Sequence, residues 1–281
     1  MMKILLNLTF VLYVLATLSF IASLLGNIRE CSHEGRLRKG ALLLLSLGIL
    51  AHLIALSIRA YYSGRLPAVG VFETLSLYSL IIAVFTLVVA IRYKEVLLSS
   101  VALIVAVVAF AFALKGLAPP RVLPPILQTY WFEIHVIASF TAYALFTLAF
   151  TAGLLYILYR AFSSAKDAKR ITDFHDITLR AILWGFFFFS LSMFSGAIWG
   201  YLAWGAYWQW EPKTLWSFIV WFWFAGVIHL IYLRKSGGGA KGESKKRWRE
   251  YSVPVASIIG FVMMLFTWLG VGLLMKNSHS F

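Results

Sequence analysis

A chain of 281 residues that is 61% hydrophobic and only 13% charged, with repeated apolar runs about twenty residues long, has too little polar surface for a soluble globular protein. A bilayer-crossing helix needs about 20 such residues, so the composition selects an all-α, polytopic membrane protein. The net charge of +14 would suggest nucleic acid in a soluble chain, but here the basic residues fall in short loops between apolar runs, where they set orientation, and nucleic acid is excluded as a partner.

Eight spans are predicted, at residues 4–26, 40–60, 68–91, 96–117, 131–159, 180–202, 213–233 and 252–275, and residues 1–281 read as a single transmembrane domain. The first apolar run, residues 4–25, is span-length and no clear small-residue cleavage site follows it. It is expected to stay as the first helix rather than be removed as a signal peptide. One set of loops carries Arg29, Arg36, Arg38 and Lys39, then Arg92 and Lys94, then Arg160, Lys166, Lys169, Arg170 and Arg180, then Arg234, Lys235, Lys241, Lys245, Lys246, Arg247 and Arg249. The opposite side has only Lys3, Arg59, Arg65, Lys115, Arg121, Lys213 and Lys276. The positive-inside rule makes the first set cytoplasmic, and predicts a plasma or inner membrane protein with both termini and residues 203–216 on the outer side.

The loop around Pro119, Pro120, Pro124 and Pro125 cannot be regular helix, because prolines remove donors and fix φ, and it is expected to form a semi-rigid external lid. Residues 236–250, with Gly237, Gly238, Gly239 and several basic side chains, read as a flexible solvated connector near anionic head groups. Cys31 is the sole cysteine, so the chain has no internal disulfide, no CxxC pair and no CxxCH of its own. No phosphate-binding loop is present.

The densest chemistry lies at residues 203–216, where Trp204, Gly205, Tyr207, Trp208, Trp210, Glu211, Pro212, Lys213 and Trp216 fall between two apolar spans. Flat aromatic side chains give a planar ligand such as a porphyrin a large contact area at low entropic cost. An aromatic belt at the membrane interface is the competing account, although a belt has no reason to place Gly, Glu, Pro and Lys at fixed points among the indoles. Glu211 could fix the loop by accepting hydrogen bonds or pair with Lys213.

Topology sorts the six histidines. His135, just inside the fifth span, and His279, just past the eighth, share the predicted side of the tryptophan loop, and two imidazoles could hold heme iron from either face. The bland alternatives are a satisfied helix-end histidine and a polar tail residue. His229 falls in the seventh span, roughly 7–8 Å from the cytoplasmic boundary, and His52 in the second at roughly 20 Å, a mismatch of about 12 Å that argues against one iron held by both. His229 is the intramembrane candidate and His52 the weaker one. His33 and His175 sit among loop charges and are read as solvated. Glu73, a turn inside the third span, is costly there unless paired. Arg59, Arg65 and Arg121 could meet propionates, with snorkelling to the interface the simpler account.

The segment Trp204-Gly-Ala-Tyr-Trp-Gln-Trp-Glu-Pro-Lys213 resembles the tryptophan-rich signature WGxxWxWDPKExW of heme-handling membrane proteins. Phe72-Glu73-Thr74-Leu75 is similar to an early Phe/Tyr-Glu-Ser-Leu segment, Trp131-Phe-Glu-Ile-His135 to the first external histidine segment, and His279-Ser-Phe281 to a closing His-Ser-Tyr. His229 falls at the intramembrane histidine after the tryptophan motif. The order of these blocks, over nearly all of the chain, resembles the CcsA (ResC) membrane subunit of the System II cytochrome c synthase. That resemblance implies a synthase subunit that binds heme b, presents it on the outer face and supports its thioether attachment to the CxxCH of apocytochrome c. It also implies that Trp204, Gly205, Trp208, Trp210, Glu211 and Trp216 contact heme, that His135 and His279 are the catalytic outer iron ligands, and that His229 serves an inner site. A CcsB-like membrane partner would supply the other inner histidine, and thiol-reducing proteins are further candidate partners.

The chain departs from the pattern at Glu211, where the family has Asp, at Thr214, where it has Glu, and at Met275 and Lys276 before His279. A CcmC-type protein that hands heme to a chaperone without ligation is the alternative, with about six spans and no intramembrane histidine. A plain heme exporter and a quinol-oxidising cytochrome b are more distant readings, the latter needing histidines paired at matching depth.

Overall fold

A computed structural model describes residues 2–28, 34–119, 125–162, 167–235 and 243–271. Among these residues, eight helices are long and apolar enough to cross a membrane, as the hydropathy pattern predicts. They divide into two compact units, residues 1–128 and 129–281.

The first unit holds α1 (Met2–Ile28), α2 (Glu34–Ser63), α3 (Val71–Arg92) and α4 (Val96–Lys115), followed by a 3₁₀ turn at Pro125–Leu127. Lipid tails are as apolar as leucine, so burial from water does not drive helices together; close packing and small residues do. Gly48 shows this on α2, where an added Cβ would lie 2.7 Å from the Tyr13 ring of α1. The polar groups of this unit are tied together. Arg59 Nε donates to Glu73 Oε1 at 2.7 Å, Arg65 Nη1 donates to Glu73 Oε2 at 2.8 Å, and the Val69 N–H donates to Oε2 at 2.9 Å. Arg59 also donates to the Ala118 carbonyl at 3.0 Å and lies 4.8 Å over the Phe72 ring. The expectation that these arginines snorkel is therefore corrected for Arg59 and Arg65. Glu73, 1% exposed, is the buried charge that recruits both. His52 is fully buried, with Nδ1 3.2 Å from the Tyr13 hydroxyl and Nε2 2.7 Å from Ser76 Oγ.

The second unit holds α5 (Tyr130–Phe162), α6 (Ala168–Trp204), α7 (Pro212–Lys235) and α8 (Glu243–Leu265), which continues through a π-helical turn at Phe266–Gly270. The central helix is α5: 72% of its apolar window is buried, against 22% for α7, which leaves most of its face outward. One packing layer joins all four helices. Phe146 of α5 and Phe224 of α7 stack face to face at 3.8 Å, with Gly185 of α6 against the first ring and Gly260 of α8 against the second. A Cβ at either glycine would come within 2.6 Å of a ring carbon, so larger residues there would separate the helices.

Two boundaries differ from expectation. α6 begins at Ala168 rather than near 180, because Phe174, Ile177, Thr178, Ala181 and Ile182 form a buried stripe at helical spacing. His175 accordingly lies half-buried on a helix, 5.5 Å from the Tyr156 ring, and not in a solvated loop. α8 begins at Glu243, so the last part of the expected flexible connector is helical, and its Glu250 accepts from Arg160 of α5 at 3.0 Å. The lid at residues 120–124, with Arg121, and also Cys31, His33 and His279, lie outside the described residues.

Candidate functional site

The tryptophan stretch forms where α6 stops and α7 starts. Gly205 ends α6 with φ +73°, a left-handed conformation that favours glycine, and its N–H donates to the Tyr201 carbonyl at 2.8 Å. Pro212 opens α7, where its missing N–H and fixed φ suit the first helical position, and the Glu211 carbonyl accepts from the Leu215 N–H at 3.0 Å. The intervening loop is thus held at both ends. Its aromatic side chains pack on one another: Tyr207 stacks on Tyr201 at 4.4 Å, and Trp208 sets its edge against Phe218 at 4.1 Å and Trp210 at 5.7 Å.

His135 comes to this loop from the second turn of α5. Its ring lies 6.3 Å from buried Trp199 of α6, nearly parallel at 17°, and Trp199 in turn meets Trp204 at 4.8 Å. The imidazole Nδ1–H donates to the Ser192 carbonyl at 2.8 Å. A carbonyl only accepts, so this contact makes Nδ1 the protonated nitrogen and places the lone pair on Nε2. The ring can approach α6 so closely because residue 196 is glycine: a Cβ there would lie 2.5 Å from His135 Nδ1.

His135, Trp204 and Trp208 line one open cleft with a cavity volume of about 100 Å³, together with Met193, Gly196, Trp199 and Lys213. That is smaller than the roughly 300–1,000 Å³ of an ordinary ligand pocket, so the cleft offers a partial wall to a flat ligand and not a closed pocket. The structure separates the other predicted site residues from it. Trp210 is 81% exposed, and Trp216 packs against Phe266 at 4.6 Å; neither is among the cleft-lining residues. Gly205 and Glu211 act through the backbone at the two helix ends. His229 lies sixteen residues beyond Lys213 on α7, about 24 Å away at helical rise. Its ring is exposed, and Nδ1–H donates to the Ala225 carbonyl at 2.8 Å, again leaving the lone pair on Nε2. The chain therefore carries two separate imidazoles of the same tautomer. Among the described residues, no cluster of three or more metal-ligating side chains occurs, so a bare metal ion has no preformed cage.

Sequence reasoning missed Ser192, Gly196 and Trp199. Their spacing of four and three residues puts them on one face of α6 immediately before the loop, which is the signal that could have found them.

The model of the cytochrome c assembly protein family matches residues 68–279. The chain belongs to the cytochrome c assembly family. The cytochrome c biogenesis protein CcsA of Chlamydomonas reinhardtii is 26% identical over 81% of this chain, which spans 64% of that protein's own length. CcsA of Eucalyptus globulus is 25% identical over 79% of this chain and 80% of its own. Among solved structures, a cytochrome c heme lyase CcmF superposes with a TM-score of 0.65 over 97% of this chain and 50% of its own, at 18% identity, a likeness of fold alone. Within the assembly family the chain is thus of the CcsA type, a multi-pass membrane protein of cytochrome c biogenesis. The cleft suits the heme handling that the family implies. It has indole walls, an imidazole whose lone pair lies on Nε2, a nearby ammonium, and a buried indole N–H at Trp208 that lacks an acceptor.

Proposed function

We propose that this chain, acting over residues 1–281 as one domain, is the heme-presenting subunit of a cytochrome c synthase in the cell membrane. It binds heme b at the outer end of α5–α7 and supports thioether attachment to the CxxCH of apocytochrome c. When bound, heme supplies the vinyl carbons to which the two cysteine thiols add. The contribution of the chain is positioning, which can supply much of the acceleration in a reaction between held partners. Ser192 holds His135 by Nδ1, and the imidazole would hold the heme iron through Nε2. Trp204 and Trp208 offer flat apolar walls that would exclude water from a bound macrocycle. His279, on sequence alone, would be the second imidazole that holds the iron. His229, facing outward from α7, serves an inner site completed by a histidine of a CcsB-like partner.

The observation that carries this reading is the shared cleft of His135, Trp204 and Trp208, which brings the start of α5 to the tryptophan stretch some seventy residues away. The test is to purify the chain with and without a CcsB-like partner, record the heme spectrum, and measure covalent holocytochrome c formation by His135→Ala and His279→Ala. Loss of both the bis-histidine spectrum and maturation is the expected result. Full maturation by both variants overturns the assignment, and a chain that binds heme but never yields thioether product when its partner is present favours CcmC-type delivery instead.

A further inference from the structure

Two donors in the cleft are left over once the contacts above are assigned. The Trp208 Nε1–H is buried and has no hydrogen-bond partner among the described residues. A buried orphan donor destabilises the fold, and a ligand acceptor would remove that cost. The second donor is Lys213, half-buried on the cleft wall, whose ammonium makes no ion pair within 4.0 Å among the described residues. It feels the carboxylate of Glu211.

The position of Lys213 is also unfavourable for the helix. It is the second residue of α7, where the exposed N–H groups and the macrodipole favour negative charge and disfavour a cation. A cation at that position adds to a field that already attracts anions, so helix N-terminus, ammonium and indole N–H all favour an anionic acceptor in the same cleft.

Resting on the reading of this cleft as a heme site, we infer that Lys213 and Trp208 form a carboxylate subsite that takes a porphyrin propionate, and so determine which edge of the macrocycle enters. Arg59 and Arg65, the cations that sequence reasoning considered for this role, are both bonded to Glu73. With a propionate held at Lys213, the vinyl groups on the other edge of the ring are turned away from the ammonium, the orientation that thioether chemistry at the vinyls requires.

The test uses the full chain in detergent with iron-free protoporphyrin IX and its dimethyl ester, followed by quenching of tryptophan fluorescence, so that iron ligation plays no part. The diacid is expected to bind roughly tenfold or more tightly than the ester, in line with a charge-assisted hydrogen bond. Lys213→Met is expected to bring the two within about twofold and Lys213→Arg to keep the preference, while Trp208→Phe, which keeps a ring but removes the donor, should lose part of it. If the wild-type protein binds both porphyrins alike, or Lys213→Met keeps the full preference, the subsite is wrong while the heme reading stands. If anionic lipid added to the micelles displaces the diacid but not the ester at wild-type Lys213, the site is one for lipid phosphate and the inference is overturned. If neither porphyrin binds, the heme reading fails and the subsite fails with it.

Discussion

The two units hold their histidines differently, although each leaves a buried donor unfilled among the described residues, Arg65 Nε in the first and Trp208 Nε1 in the second. In the first, Glu73 accepts from Arg59, Arg65 and the Val69 N–H, and both ring nitrogens of His52 have partners in Tyr13 and Ser76. In the second, His135 and His229 each set Nδ1 against a helix carbonyl, and the Trp208 indole N–H has no partner among the described residues. A polar group whose hydrogen-bonding capacity is filled from within the fold stabilises that fold, while an unfilled donor such as the Trp208 N–H keeps capacity for a ligand. Burial depth alone would have ranked them the other way, since His52 is the most deeply buried histidine among the described residues.

Breaking the Glu73 cluster should have the largest effect. Glu73→Ala leaves two buried guanidinium groups without their carboxylate, and a loss of about 3–5 kcal/mol is expected, read as a lower melting temperature in detergent and reduced folded yield. Gly196→Ala tests the other unit. Its methyl would overlap the His135 ring, with about 1–3 kcal/mol of overpacking strain and loss of the axial imidazole from the heme spectrum, restored by added imidazole. His52→Ala removes the common partner of Tyr13 and Ser76 and should cost about 1–3 kcal/mol in stability, while the folded fraction keeps its heme spectrum. His229→Ala has the smallest expected effect on stability, within about 0.5 kcal/mol because the side chain is exposed, yet should remove a heme signal that depends on the partner protein. A heme spectrum altered by His52→Ala but untouched by His229→Ala would reverse the comparison.

Much of this was legible before any coordinates. Eight apolar runs at span length gave eight helices, because a segment that must satisfy its own backbone in lipid has few alternatives to helix. The special residues of the tryptophan loop were also readable as a group, since Gly205 and Pro212 mark a helix stop and a helix start. What could not be read was which residues of the loop face the cleft. Trp204 and Trp208 do, while Trp210 is exposed and Trp216 packs on Phe266, and nothing in their shared chemistry distinguishes the four. The fates of Arg59 and Arg65 were hidden for a similar reason, because a snorkelling arginine and a paired one look alike until the carboxylate is placed beside it.

Hydropathy, loop charge and motif order are properties of local sequence, so they specified the membrane class, the helix count and the neighbourhood of the site. The tautomer of His135, the close approach allowed by Gly196 and the leftover donors of Trp208 and Lys213 arise from contacts between α5, α6 and α7, residues up to some eighty positions apart. Such contacts depend on how far each helix is rotated about its axis, and in a medium as apolar as the side chains that rotation is set by close packing rather than by the hydrophobic pattern.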